Sequence, residues 1–252
     1  MHISTTTRAV RVTATALLLA TTMATTAQVR NLKAPHECEP WLDGRSVHQV
    51  PPQCRELAGQ LNQVRRATSA FYSYDVAVAA GWALGQPPLE TLGWTWSAAA
   101  WGCAAAAGPL ALLWLCLRWK WRPIERLVEV VDRLVLPLFQ SCGAAEIAII
   151  AFLAGLGEEM LFRGVVQAAV ADWIGGNAGV WVGLVAAALL FGLAHLITPA
   201  YGVFAGLIGL YFGALWLWTG NLLAPVVAHA VYDFFALLYL RRRDNRRLPN
   251  AE

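Results

Sequence analysis

Between Ser97 and Leu240 the chain is a succession of apolar stretches long enough to cross a bilayer, and one of them carries three charges. That stretch opens at Ile147, resumes through Val165 to Val170, and contains Gly157-Glu158-Glu159-Met160-Leu161-Phe162-Arg163-Gly164. A charge at the centre of a bilayer costs roughly 2.5–3.5 kcal/mol on insertion scales, so such residues face the protein interior and usually serve a function. On a helix, Glu159 and Arg163 are four apart and share a face, which suits an ion pair. Glu158 is rotated by about 100° from Glu159. One carboxylate is therefore neutralised and the other is left for chemistry. With 58% of its 252 residues hydrophobic, 14% charged and a mean hydropathy of +0.49, the chain is too apolar for an ordinary soluble domain. The expected fold is all-α, a polytopic transmembrane helix bundle with an intramembrane polar cavity.

Five regions follow along the chain. In residues 1–27, Arg8 and Arg11 precede a short apolar stretch from Ala14 to Ala20, and Ala24-Thr25-Thr26-Ala27 follows. This reads as a first hydrophobic segment or a secretory signal cut after Ala27, although threonines dilute its apolar part. Residues 28–96 are poorly defined. Cys38 and Cys54 pair if this part is outside the cytoplasm and stay reduced if it is inside; Val76 to Leu84 is too short and too close to Asp75 for a clear span. Residues 97–143 hold a span from Ser97 to Leu117 and an interfacial helix from Glu125 to Leu138. Residues 144–240 form the core: Ala144 to about Val170, with a break expected near Gly155 and Gly157, then Val180 to Leu196, Tyr201 to Trp218 and Leu222 to Leu240. A polar turn from Asp172 to Gly179 and a tight turn at Thr219-Gly220-Asn221 separate them. Residues 241–252 are a basic tail.

The basic clusters, Arg118-Lys120-Arg122-Arg126 and Arg241 to Arg247, flank hydrophobic spans and read as cytoplasmic anchors rather than a nucleic-acid surface. Four spans separate them, so both fall on one side. No nucleic-acid partner is expected, the bilayer and a membrane-associated protein or peptide are, and the pattern suits a bacterial inner membrane with a cytoplasmic C-terminus. Cys103, Cys116 and Cys142 read as inert small hydrophobes.

Of five histidines, His2, His36 and His48 lie in the polar N-terminal part, whereas His195 and His229 lie in apolar spans. Phe191 shares the helical face of His195, and Asp233 is one turn beyond His229. Singly, each histidine reads as a buried polar residue bonded to a neighbouring helix. Together with Glu158 they compose a set for activating water: a carboxylate base with imidazoles that polarise a carbonyl or bind a metal. No Ser or Cys accompanies these motifs, so a covalent nucleophile is not expected. A zinc site drawn from His195, His229 and Glu158 remains open, without the His-Glu-x-x-His signature.

Glu158-Glu159-x-x-x-Arg163, Phe191-x-x-x-His195 and His229-x-x-x-Asp233 resemble, in order, the three motifs of the CAAX protease and bacteriocin-processing (CPBP) family. These are intramembrane endopeptidases related to the type II CAAX prenyl endopeptidase. The resemblance covers Ala144 to Leu240. It implies Glu158 as general base, His195 as its partner on the attacking water, and His229 with Asp233 as stabilisers of the oxyanion. It also implies Glu159 and Arg163 as the pair that fixes the motif, with Phe191 packed at the site. Both a divalent metal such as zinc and a metal-free glutamate mechanism are compatible with it. The eukaryotic enzymes carry Asn where this chain has Asp233, and an ionised Asp cannot donate a hydrogen bond. Asp233 is then protonated, orients His229 or binds a metal; orientation is the reading adopted, and prenyl specificity is placed in doubt. The expected function is intramembrane endopeptidase, with a non-catalytic adaptor or binding protein using the same cavity as the alternative. A transporter is disfavoured by the small number of spans and the lack of a repeat.

Overall fold

The computed structural model describes residues 38, 50–55, 73–118, 122–132, 136–139 and 142–247. The signal-like segment 1–27, His2, His36, His48, Ser141 and the end of the tail lie outside the described residues. All regular structure among the described residues is helical. Helix α1 covers residues 73–84, α2 Trp96–Ala105, α3 Ala107–Arg118, α4 Arg122–Val130 and the short α5 Leu136–Phe139. A rod then runs through α6 (Ala144–Glu159), a π-helical segment (Met160–Gln167) and α7 (Ala168–Ile174). Helices α8 (Gly176–Ala194), α9 (Pro199–Thr219) and α10 (Leu223–Arg247) complete the bundle.

Among the described residues four stretches are long and apolar enough to cross a membrane: Trp96–Arg118, Gly176–Ala194, Pro199–Thr219 and Leu223–Arg243. The span expected from Ala144 to about Val170, divided among α6, the π segment and α7, is not one of them. The chain is an integral membrane protein built as an all-α bundle. Packing follows the rule for helices in lipid, where small residues let backbones approach. A Cβ on Gly155 would lie 3.1 Å from Ala230 N and 3.2 Å from Val226 O, so this glycine seats α6 directly on α10. The break expected near Gly155 and Gly157 does not occur there. These glycines serve contact, and the departure from α-geometry comes later, in the π segment. The Asp172–Gly179 turn is also shorter than expected, since Gly175, at φ 74°, alone separates α7 from α8.

Both ends of the bundle are recognisable. At one, the loop after α1 is pinned by Asn221, whose Oδ1 accepts from Gly93 N (3.0 Å) and whose Nδ2 donates to Gly93 O (2.9 Å). Gln86 Nε2 donates to Asp172 at 2.8 Å nearby. Trp82, Trp94, Trp96, Trp173 and Trp218 are exposed on these segments, as expected of an interfacial belt. At the other end Arg243 pairs with Asp132 and Arg241 donates to Cys142 O, which brings the two basic clusters together. The interfacial helix expected from Glu125 begins three residues earlier, at Arg122. Cys38 and Cys54 form a disulfide, a bond that persists in oxidising compartments; the path linking it to α1, residues 56–72, lies outside the described residues.

Gly102 gives a direct test of this packing. An added Cβ would lie 2.6 Å from Ala224 O and 2.7 Å from Val227 Cβ, both on α10. Gly102→Ala is expected to destabilise the protein by about 1–3 kcal/mol through overpacking, read as a lower unfolding midpoint in detergent. An unchanged midpoint would show that α2 yields there at no cost.

Candidate active site

Four helices carry the polar residues to one place. The end of α6 brings Glu158 and Glu159, and the π segment holds Arg163. Helix α8 stops at His195, whose backbone leaves helical geometry at φ −101°, ψ 17°. Thr198 caps α9 by accepting from Tyr201 N at 3.1 Å, with Pro199 at the first helical position. His229 and Asp233 lie one turn apart on α10.

Arg163 and Glu159 are fully buried and form an ion pair, Nη1 to Oε1, at 2.9 Å. Arg163 Nη2 also donates to Gly209 O at 2.6 Å, and the guanidinium lies 5.1 Å from the Phe191 ring and 5.8 Å from the Phe212 ring. These contacts lock the π segment to α9. Gln167, one turn on, repeats the pattern more weakly, with Nε2 3.5 Å from Gly213 O. Phe191 also packs edge-on against Phe162 at 4.9 Å.

The same Glu159 oxygen accepts from His229 Nδ1 at 2.9 Å. Spacing had assigned the orientation of His229 to Asp233. In the structure Glu159 makes that bond, whereas Asp233 Oδ2 lies 3.5 Å from the opposite nitrogen, Nε2. His195 Nδ1 is 2.8 Å from Phe191 O and its ring stacks on Phe191 at 4.4 Å. A carbonyl and a carboxylate only accept, so both histidines carry their Nδ1 proton. Each Nε2 then faces the same gap. Glu158 Oε2 lies 3.7 Å from His195 Nε2 and 3.9 Å from His229 Nε2, and it is buried with no hydrogen-bond partner among the described residues. Polar atoms at such separations are commonly bridged by water.

This gap opens into a cavity of about 300 Å³ bounded by Glu158, His195, His229, Asp233, Tyr201 and Tyr232, with apolar walls from α3 and α4. Cys116, read as an inert hydrophobe, lies in that wall. Glu158, His195, His229 and Asp233 are thus brought together, with Glu159, Arg163 and Phe191 beneath them. Sequence reasoning passed over Gln167, Tyr201, Tyr232 and Phe212. The only signals were Gln167 one turn beyond Arg163 and Tyr201 just past the helix-starting Thr198-Pro199.

His195, His229 and Glu158 have the donor chemistry of a zinc site. Their 3.7 and 3.9 Å separations, however, exceed the roughly 3.4 Å edge of a tetrahedron with bonds of about 2.1 Å. No group of three or more His, Cys, Asp or Glu among the described residues is placed to hold a metal ion.

Residues 140–235 match a family described as type II CAAX prenyl endopeptidase Rce1-like. The match covers 96 of the 252 residues, less than half of the chain. The matched stretch takes in the π segment, both histidines and Asp233, and it leaves residues 1–139, more than half of the chain, unmatched. The chain is also 30% identical over 115 residues to the uncharacterized protein YpbD of Bacillus subtilis (strain 168). The similarity covers 46% of this chain and 56% of that protein, so the chain spans about half the length of this relative. No solved structure matches the chain.

Proposed function

We propose that the protein is an intramembrane endopeptidase that hydrolyses a peptide bond of a membrane-associated protein or peptide. The observation that carries this reading is the convergence of Glu158 Oε2 on two histidine Nε2 atoms across a gap of water size. Glu158 takes a proton from a water held between itself and His195 Nε2, and the water oxygen adds to the carbonyl carbon. The carbonyl oxygen becomes an oxyanion, to which His229, as imidazolium, donates from Nε2 while Nδ1–H stays on Glu159. The C–N bond then breaks, Glu158 returns its proton to the departing amine, and the carboxylic acid formed loses its remaining proton to solvent or to the amine. No step passes through a metal.

The similarity of residues 140–235 to the Rce1-like family supports a protease of this class. Asp233 in the third motif speaks against a prenylated CAAX end as the required substrate. The clustering of Arg118, Arg122 and Arg126 with Arg241 to Arg243 at one end favours a cytoplasmic C-terminus in a bacterial inner membrane.

The test is cleavage of a panel of membrane-tethered reporter peptides by the purified protein in nanodiscs, with and without phenanthroline. Wild type is expected to cut at least one reporter regardless of chelator, and His195→Ala to lose about 10²-fold or more in rate. A His195→Ala enzyme at the wild-type rate would remove the water-positioning role. Sensitivity to chelator would replace the metal-free route by a metal-assisted one.

A further inference from the structure

The hydrogen-bond inventory of the cavity leaves a requirement unmet. An oxyanion needs donors aimed at it, yet Glu158 and Asp233 as carboxylates only accept. The Nδ1–H groups of His195 and His229 are committed to Phe191 O and Glu159. His229 Nε2 therefore stands as a single donor where a second is wanted, because position 233 is Asp and not an amide. The unused O–H groups of the cavity are those of Tyr201 and Tyr232.

Tyr201 is the better placed. It sits in the first turn of α9, its backbone N–H held by the Thr198 hydroxyl at 3.1 Å. Its ring stands edge-on to His195, 6.0 Å between centroids at 77°, so the side chain is fixed beside the proposed water partner. Its hydroxyl makes no hydrogen bond to the described residues, and it lines the same cavity as Glu158 and Asp233. Tyr232 makes no ring contact with either histidine among the described residues.

We infer that Tyr201 is a catalytic residue whose phenolic O–H donates to the carbonyl oxygen as water adds, supplying the hydrogen bond that Asp233 cannot. This rests on the endopeptidase reading. The proton stays on Tyr201 throughout; its bond to the oxyanion forms with the tetrahedral intermediate and lapses as the C–N bond breaks. A donor used only in the transition state lowers kcat when removed and leaves KM alone.

The experiment is steady-state cleavage of a reporter by full-length wild type, Tyr201→Phe, Tyr232→Phe and Glu158→Gln in nanodiscs. Phe keeps the ring contact with His195 and removes only the hydroxyl. The expected result is a kcat about 10²–10³-fold lower for Tyr201→Phe, the size of effect of losing one oxyanion donor, with KM within about twofold. Tyr201→Phe at wild-type kcat beside an inactive Glu158→Gln overturns the tyrosine assignment alone. A loss confined to KM, or a loss in Tyr232→Phe and not in Tyr201→Phe, overturns it as well. A wild type that cuts no reporter, or a Glu158→Gln protein that cuts like wild type, overturns the endopeptidase reading and the tyrosine role with it.

Discussion

Glu158→Gln is expected to lower reporter cleavage by about 10²–10⁴-fold while leaving the protein folded. The size is that of losing a general base. Fold retention follows from the local geometry, because Glu158 Oε2 makes no hydrogen bond to the described residues and lies 3.7 Å or more from both imidazoles. The amide is nearly isosteric and disturbs no packing, yet it cannot accept the water's proton. Rates would be measured beside unfolding midpoints in the same nanodiscs or detergent. Full activity in the glutamine variant would shift the protein to the non-catalytic alternative, a cavity that binds a partner without turnover. A dead variant that has also lost its fold would show instead that Glu158 is structural.

Arg163→Met is expected to have the opposite signature, a loss of stability before any loss of chemistry can be measured. Breaking a buried ion pair by removing one partner costs about 3–5 kcal/mol, because the remaining charge is stranded. Here the stranded group is Glu159, fully buried, with Oε2 already lacking a partner. Gly209 O would lose its donor at the same time, and the contact between the π segment and α9 would go with it. The readout is the unfolding midpoint and the yield of monodisperse protein in detergent. The Arg163→Met, Glu159→Gln double variant in the same assay is expected to be milder than Arg163→Met alone, since it removes the stranded charge along with the pair. An Arg163→Met protein that melts with wild type would show that the aromatic rings and glycine contacts hold this region without the charge.

The sequence made the membrane bundle legible because lipid leaves few choices: apolar stretches of span length form helices whose backbone groups are satisfied internally. The i,i+4 spacing of Glu159 and Arg163 was enough to foresee their pair, since that contact is local to one helix. The same local reasoning failed at Gly155 and Gly157. Both were read as breaks, but their small size serves contacts with α10 and α1, which no local pattern encodes. It failed too for His229, whose orienting carboxylate comes from a helix 70 positions earlier.

By itself, then, the sequence determined the spans that begin near Ser97, Val180, Tyr201 and Leu222, the clustering of basic residues at one end, and which side chains had no reason to be in lipid unless they met one another. Tertiary structure decided how they meet. It set Glu159 as the shared partner of Arg163 and His229, aimed Glu158 at two Nε2 atoms, and placed Tyr201 beside them. The physical reason is range. Hydropathy and helical periodicity are properties of neighbouring residues, whereas the direction of a buried hydrogen bond depends on which helix packs alongside and in what rotation.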